Sequence, residues 1–503
     1  MTRASSGLWP GRRVHHRSAV AGNDDGECGF QGHSLVRSGE AMTRRRSGPG
    51  PGRPEDAGPA FRPAAARVPQ TRIGRLANVA LAAGELALAG LGEGVRRLLV
   101  DGTVAGFGAS SVWASGDNAR RLAARPARLR GGAMKLGQMM SMQGPDLLPP
   151  EFAQALAILR AQAAPMPAAQ LHGVLGREYG KGWRRRFERF DERPIAAASI
   201  GQVHYARAVD GRELALKIQY PGVARSIRGD IDNVVAVLRL LKLLPPEADI
   251  DALAEQAARQ LSQEADYLAE AASLARFAEL VADEPRLRVP RAHADLTTAR
   301  VLAMDFVDGR PLEALAAPGV AQSTRDAVGA LLERLVFREL FEFRTMQTDP
   351  NFANYLWQPD TGQVALLDFG STTDFDDEFV AAYARITRAA MAGDRDAVAR
   401  HAIEIGYVDA DDPPQRIEAT VDVILLVCEP LRHRGRYDFA ASDLPSRARA
   451  LGFDIGIRQG LLRVPPPRTM FLHRKLIGSF FLLAHIGARV DVRSLIAPLL
   501  RNP

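Results

Sequence analysis

Cysteine is nearly missing from this 503-residue chain: Cys28 and Cys428 are the only two, far apart and without a CxxC or a histidine at ligand spacing. That excludes a disulfide framework and a zinc site of the usual spacing, and it makes a reducing compartment the default. Lysine is also rare, with arginine supplying nearly all the positive charge, so Lys135 and Lys217 stand out as choices that composition did not force. Long apolar runs are lacking. The Ala/Leu/Gly segment 71–100 is interrupted by Glu85 and Glu93, and the apolar stretch Met470 to Ile486 is interrupted near its start by His473, Arg474 and Lys475. Neither reads as a bilayer-spanning helix. The first is expected to be an amphipathic helix that packs on the body or, as the less favoured reading, lies on a membrane surface; the second is expected to be a buried helix. No secretory h-region opens the chain, and Met42 is an alternative start.

The formal net charge of +7 and the pI near 9.7 owe much to residues 1–70, which are rich in Gly, Pro, Ser and Arg and lack apolar periodicity. They read as a disordered, solvated tail, and no nucleic-acid partner is expected from them. With 46% hydrophobic residues, the remainder is long enough for a two-lobed enzyme with an extension.

The stretch from Phe341 to Phe375 carries the chemistry. Asp349 stands five residues before Asn354, and Asp368 heads the triplet Asp368-Phe369-Gly370 after the apolar run Val364 to Leu367. A loop aspartate can orient an attacking oxygen, while an amide at the far end of the loop and a strand-end carboxylate can hold Mg²⁺ between nucleotide phosphates. Either motif alone arises by chance. In order, and separated by the turn Pro359-Asp360-Thr361-Gly362, they point to a protein-kinase-like phosphoryl-transfer site with Asp349 as catalytic residue and Asn354 and Asp368 as metal ligands.

Upstream, residues 187–220 read as three strands of a nucleotide-binding lobe. A loop containing Ala196, Ala197, Ala198, Ser199, Gly201 and Val203 is followed by the Asp210-Gly211 turn and the strand Leu214 to Ile218, which bears Lys217. Glycines let backbone amides approach phosphate; with alanines in most of those places the loop should be stiffer. Two helices are expected next, Val223 to Leu244 and Ile250 to Val281. The second carries Glu264, Asp266 and Glu270, one of which should pair with Lys217, and Glu264 and Glu270 should serve different targets because six residues is not a whole number of helical turns. The stretch 288–307 fits a hinge that meets adenine, and a helix from Ser323 to Phe343 leads into the catalytic loop. Near the N-terminus, Met134, Leu136, Met139, Met140 and Met142 mark a helix with Lys135 and Gln138 three apart on a neighbouring face.

The combination of Lys135-Leu136-Gly137-Gln138, the alanine-rich loop, Glu264-Ala265-Asp266 and Thr348-Asp349-Pro350-Asn351-Phe352-Ala353-Asn354 with Asp368-Phe369-Gly370 resembles the UbiB family of atypical kinases, also called AarF or ADCK. It looks like the branch that includes the mitochondrial coenzyme Q proteins, and it covers about residues 71–500. The resemblance implies an α+β, two-lobed protein-kinase-like fold: residues 71–186 form a helical extension over the site, 187–308 a small β-rich lobe and 309–503 a helical lobe. It further implies ATP and Mg²⁺ as cofactors, with Lys135, Gln138 and Glu270 near the nucleotide and Lys217 with Glu264 in the catalytic ion-pair network. The expected activity is that of an Mg-dependent ATPase or atypical kinase supporting ubiquinone biosynthesis, with a small lipid-like or quinone-precursor ligand. Biosynthetic enzymes and a membrane surface are the expected partners, and the expected location is cytoplasmic, peripheral at the inner face of the membrane. Two alternatives stay open, a nucleotide-gated lipid-binding scaffold and a protein kinase. Against the last, Thr348 replaces the arginine usual before the catalytic aspartate, and no Ala-Pro-Glu follows Asp368-Phe369-Gly370.

Overall fold

β-branched and apolar residues that alternate along the chain from Phe187 onward build the first sheet. In the computed structural model, which describes residues 166–240, 250–461, 463 and 465–500, a helix α1 (Ala168–Tyr179) precedes strands β1 (Phe187–Phe190), β2 (Ala196–Ala197), β3 (Gly201–Ala208) and β4 (Glu213–Gln219). The expected three strands are therefore four, because the alanine loop itself pairs briefly with β3, Ala196 opposite Val203. The Asp210-Gly211 turn joins β3 to β4, with Gly211 at φ +89°, a conformation that glycine takes without steric cost.

Helices α2 (Val223–Leu240), α3 (Ile250–Glu264) and α4 (Tyr267–Leu280) follow, then β5 (Leu287–Arg288), β6 (Val301–Asp305) and β7 (Arg310–Pro311). The single helix expected from Ile250 to Val281 is thus two. Asp266 leaves helical geometry at φ −97° and ψ 86°, and its carboxylate accepts from the Ala269 N–H as the N-cap of α4. Gln219 holds the junction from the sheet, its side-chain amide donating to the Ala265 carbonyl at 2.7 Å.

The first sheet runs β1-β3-β4-β6, all antiparallel, with β2 on β3. Its register places Val203 opposite Lys217 and Lys217 opposite Leu302, and Tyr205 opposite Ala215 and Ala215 opposite Met304. Directly opposed residues share a face, so Gly201, Val203, Ala215, Lys217, Leu302 and Met304 all belong to one side of the sheet.

The second half is mainly helical. Helix α5 (Gln322–Phe341) is buried almost all round, and β8 (Thr345–Gln347) leads from it into the Asp349 loop. The hairpin β9 (Tyr355–Gln358) and β10 (Gln363–Leu366) turns at Gly362, φ +71°, and forms a four-stranded sheet in the order β5-β10-β9-β7. Strand β11 (Thr372–Asp374) pairs with β8 and delivers the chain to α6 (Asp377–Ala392), capped by Asp376, and α7 (Arg395–Ile405), capped by Asp394. Then come α8 (Pro414–Val427), the short α9 (Glu429–Arg432), β12 (Tyr437–Asp438), α10 (Leu444–Phe453), α11 (Pro467–Ile486), β13 (Arg489–Val490) and α12 (Val492–Ile496). Helix α11 is the apolar segment expected to be buried: Leu472, Leu482, Leu483 and Ile486 are 3% exposed or less. Among the described residues no helix is long and apolar enough to cross a membrane.

Candidate active site

One face of α4 organises the Lys217 side of the candidate site. Tyr267, Glu270, Leu274 and Phe277 are its buried residues, at offsets of three, seven and ten that repeat the helical period. Glu270 takes both oxygens to the Lys217 ammonium, at 2.7 and 2.9 Å, and Phe277 lies against the Phe369 ring at 4.4 Å between centroids. The same helix therefore touches the strand lysine and the Asp-Phe-Gly triplet. Lys217 is also 3.2 Å from Asp368 Oδ2. Burial alone disfavours the charged ammonium, but the Asp368 and Glu270 carboxylates outweigh it and hold Lys217 well above its ordinary value. Burial pushes the Glu270 carboxyl up, opposed by Lys217. Of the two directions, the doubly neighboured lysine is the decisive one, and the pair is ionic.

Of the three acids that could pair with Lys217, Glu270 is the one that does, while Glu264 lies close enough to Glu270 to act on its charge. The helix break is the reason: Glu264 ends α3, while Glu270 starts from the reoriented first turn of α4. Glu264 is buried and backs the metal-side triplet, its Cα 3.5 Å from where a Cβ on Gly370 would stand.

The Asp349 loop is held at its backbone. The Asp349 carbonyl accepts from Asn354 Nδ2 at 3.1 Å and from Gln347 Nε2 at 2.8 Å. Thr348, where an arginine would stand in a protein kinase, is buried and its hydroxyl meets that of Ser371 at 2.8 Å. Three residues of the loop's surroundings were not picked out as site residues from the sequence. Arg474, on α11, bridges Asp349 Oδ1 and Gln260 Oε1, each at 2.6 Å. Lys475, the next residue, is fully buried, pairs with Glu339 at 3.2 Å and donates to Gln347 Oε1 at 3.0 Å. The scarcity of lysine that marked Lys135 and Lys217 marks Lys475 as well; Arg474 and Gln260 carry no such signal.

Of the loop residues, Ala196 and Ala197 lie in β2, Ala198 donates its N–H to the Gly201 carbonyl at 3.0 Å, and Ser199 lies between them. Val203 faces Lys217 across the strands. Lys135 and Gln138 lie outside the described residues.

A Mg²⁺ ion fits the donors present. Gly370 N–H holds Asp368 Oδ1 at 2.9 Å, and the carboxylate keeps 29% of its side-chain surface exposed, so it is oriented and reachable. Asn354 spends its nitrogen on the loop, and its amide oxygen is not used in that bond. One carboxylate and one amide suit Mg²⁺, which takes its other ligands from phosphates and water.

Residues 158–402 match the model of the ABC1 atypical kinase-like domain. The chain is 38% identical over 429 residues to the mitochondrial atypical kinase COQ8B of Rattus norvegicus, covering 85% of this chain and 80% of that one. It is 33% identical over 435 residues to the mitochondrial atypical kinase COQ8 of Saccharomyces cerevisiae, covering 85% and 84%. Among solved structures, that of Rv3197 from Mycobacterium tuberculosis in complex with erythromycin superposes with a TM-score of 0.53 at 27% identity, covering 77% of this chain and 97% of that one.

Proposed function

Because the chain belongs to the UbiB family of ABC1 atypical kinases, we propose that it binds ATP with Mg²⁺ between its two lobes and hydrolyses it, or transfers its terminal phosphoryl group to a small molecule, in support of ubiquinone biosynthesis. The observation that carries this reading is the hydrogen bond from the Leu367 N–H to the Asn354 carbonyl at 2.9 Å, which sets the Asp349 and Asn354 loop beside Asp368 and so beside its Lys217 and Glu270 partners. Residues 187–308 act as the small lobe and 309–503 as the large one. Val203, Ala215 and Met304, on one face of the sheet, form the apolar ceiling for adenine, and Asp305 to Val307 form the hinge.

Each side chain then has a task. Lys217 neutralises the α- and β-phosphates, and Glu270 keeps the ammonium in place. Asp368 and Asn354 would hold the Mg²⁺, which when bound screens the charge between the phosphates. Asp349 orients the attacking oxygen and takes its proton. A protein acceptor is disfavoured, since α6 begins only seven residues after Gly370, at Asp377. That leaves little chain to dock a peptide. A quinone precursor or similar lipid is the proposed acceptor or activator, met by a peripheral protein at a membrane surface together with other biosynthetic enzymes.

The test is steady-state ATP hydrolysis with and without a phenolic lipid mimic and with and without Mg²⁺, together with a search for a phosphorylated small molecule. Mg-dependent turnover that the mimic raises, and that Asp368→Asn abolishes, is expected. Unchanged turnover and Mg-ATP affinity in Asp368→Asn would sink the metal assignment. Nucleotide binding without turnover would favour the gated-scaffold alternative.

A further inference from the structure

Tyr267 opens α4 and is fully buried, yet its hydroxyl has no hydrogen-bond partner among the described residues. An orphaned buried hydroxyl is costly, and it calls for a reason. Its position supplies one. A Cβ built on Gly201 would stand 3.0 Å from the Tyr267 hydroxyl and 2.4 Å from the Ile218 carbonyl oxygen. Gly201 closes the alanine loop, and the register puts the direction of its missing side chain on the same face of the sheet as Val203 and Lys217. The phenol therefore lies under the loop on the nucleotide side. The Lys217 ammonium is 5.3 Å from the centre of its ring.

The placement is enforced from three directions. Gln219 anchors the α3–α4 junction through the Ala265 carbonyl, Asp266 caps the helix at the preceding residue, and Glu270 ties the next turn to Lys217. Alanine is accepted at 196, 197 and 198, but position 201 is glycine because the phenol and the Ile218 carbonyl leave no room for a methyl group. Burial raises the phenol above its ordinary range, so the hydroxyl keeps its proton and stays a donor.

We propose that the Tyr267 hydroxyl donates a hydrogen bond to the polyphosphate of the bound nucleotide, beside Lys217 and beneath the Ala196–Gly201 loop, so that α4 contributes both the carboxylate that holds the lysine and a direct phosphate contact. This rests on the reading that the site binds Mg-ATP. The ligand class is a nucleoside di- or triphosphate, and the contact is blind to the base.

Calorimetric titration of wild type and Tyr267→Phe with Mg-ATP, Mg-ADP and adenosine tests it. The substitution removes one hydroxyl and leaves the ring. The dissociation constants for ATP and ADP should rise about tenfold, the effect expected of a lost hydrogen bond to a charged group, while adenosine binding is unchanged. The nucleotide-free variant should melt no lower than wild type, because the orphaned hydroxyl is gone. Equal ATP and ADP affinities in the two proteins would overturn the proposal, and so would an equal loss for adenosine, which would mark a packing effect. Wild type that binds no Mg-ATP would instead overturn the functional reading on which the proposal rests. A structure of wild type with Mg-ADP checks the contact without any variant: the hydroxyl should lie about 3 Å from a phosphate oxygen, and a hydroxyl with no phosphate neighbour would overturn the contact.

Discussion

Arg474 on α11 and Asp349 in the loop after β8 are 125 positions apart in sequence and 2.6 Å apart in space, and both side chains are at most 15% exposed. The guanidinium also reaches Gln260 of α3 at 2.6 Å. One planar fork thus ties the Asp349 carboxylate to two helices, a task a lysine cannot share because its ammonium is a single point charge. Arg474→Lys should lower the ATP turnover rate roughly tenfold, as expected when a proton-accepting group is misplaced. ATP affinity should hold, because Arg474 touches neither Lys217 nor Asp368. Turnover and binding measured side by side check this, and wild-type turnover would remove Arg474 from the positioning role.

Gly478 lies one helical turn beyond Arg474. A Cβ there would come within 2.2 Å of Pro350 Cβ and 2.3 Å of its Cγ, in the residue that follows Asp349. The proline ring is rigid, so the helix or the loop must shift. Gly478→Ala is expected to cost about 1–3 kcal/mol of stability, the usual range for overpacking. It should also slow turnover by moving the loop. Denaturant unfolding and steady-state kinetics would show both effects, and a stable, fully active variant would mean the loop is not seated on α11 as described.

The Lys217–Glu270 pair gives a contrast between two glutamates. Removing the charge of Glu270 leaves the buried Lys217 with Asp368 as its carboxylate neighbour, so the cost stays below the roughly 3–5 kcal/mol of a buried charge left wholly unpaired. Glu264→Gln leaves that pair intact. Thermal and denaturant stability should therefore fall much further in Glu270→Gln than in Glu264→Gln, and the reverse order would restore Glu264 as the lysine's partner.

Glu333 on α5 supplies a pH dependence. Burial pushes its carboxyl up to about 7, against the lowering effect of the Ser479 hydroxyl and of Lys475. The sign follows from linkage: between the ordinary glutamate value near 4.5 and about 7 the folded protein binds the proton and the unfolded chain does not, so stability is greatest at the acid end and is lost as pH rises through that window. The loss attributable to this group is about 3 kcal/mol. Glu333→Gln, neutral at every pH, should be spared it. Unfolding free energies of both proteins at pH 5 and pH 7.5 would then diverge in favour of the variant as pH rises, and parallel curves would refute the assignment.

Local pattern made much of the fold and of the candidate site legible. The Asp-Gly and Pro-Asp-Thr-Gly turns, the strand that carries Lys217 and the spacing of Asp349, Asn354 and Asp368 depend on residues close in the chain, so composition and order were enough to locate them. The K-x-G-Q segment was legible as an apolar-patterned helix bearing a motif, and Lys135 and Gln138 lie outside the described residues. Tertiary structure decided the rest. Which of three nearby acids meets Lys217 depended on a helix break at Ala265-Asp266, held from outside by Gln219. A continuous helical period could not reveal that break, because both halves keep the same apolar spacing. Likewise, Arg474 and Lys475 read in sequence as interruptions of an apolar helix, and Gly478 carried no signal there at all. Only the packing of α11 against α5 and the Asp349 loop turns them into an ion pair, a buried charge and a close contact, since long-range contacts leave no periodic trace along the chain.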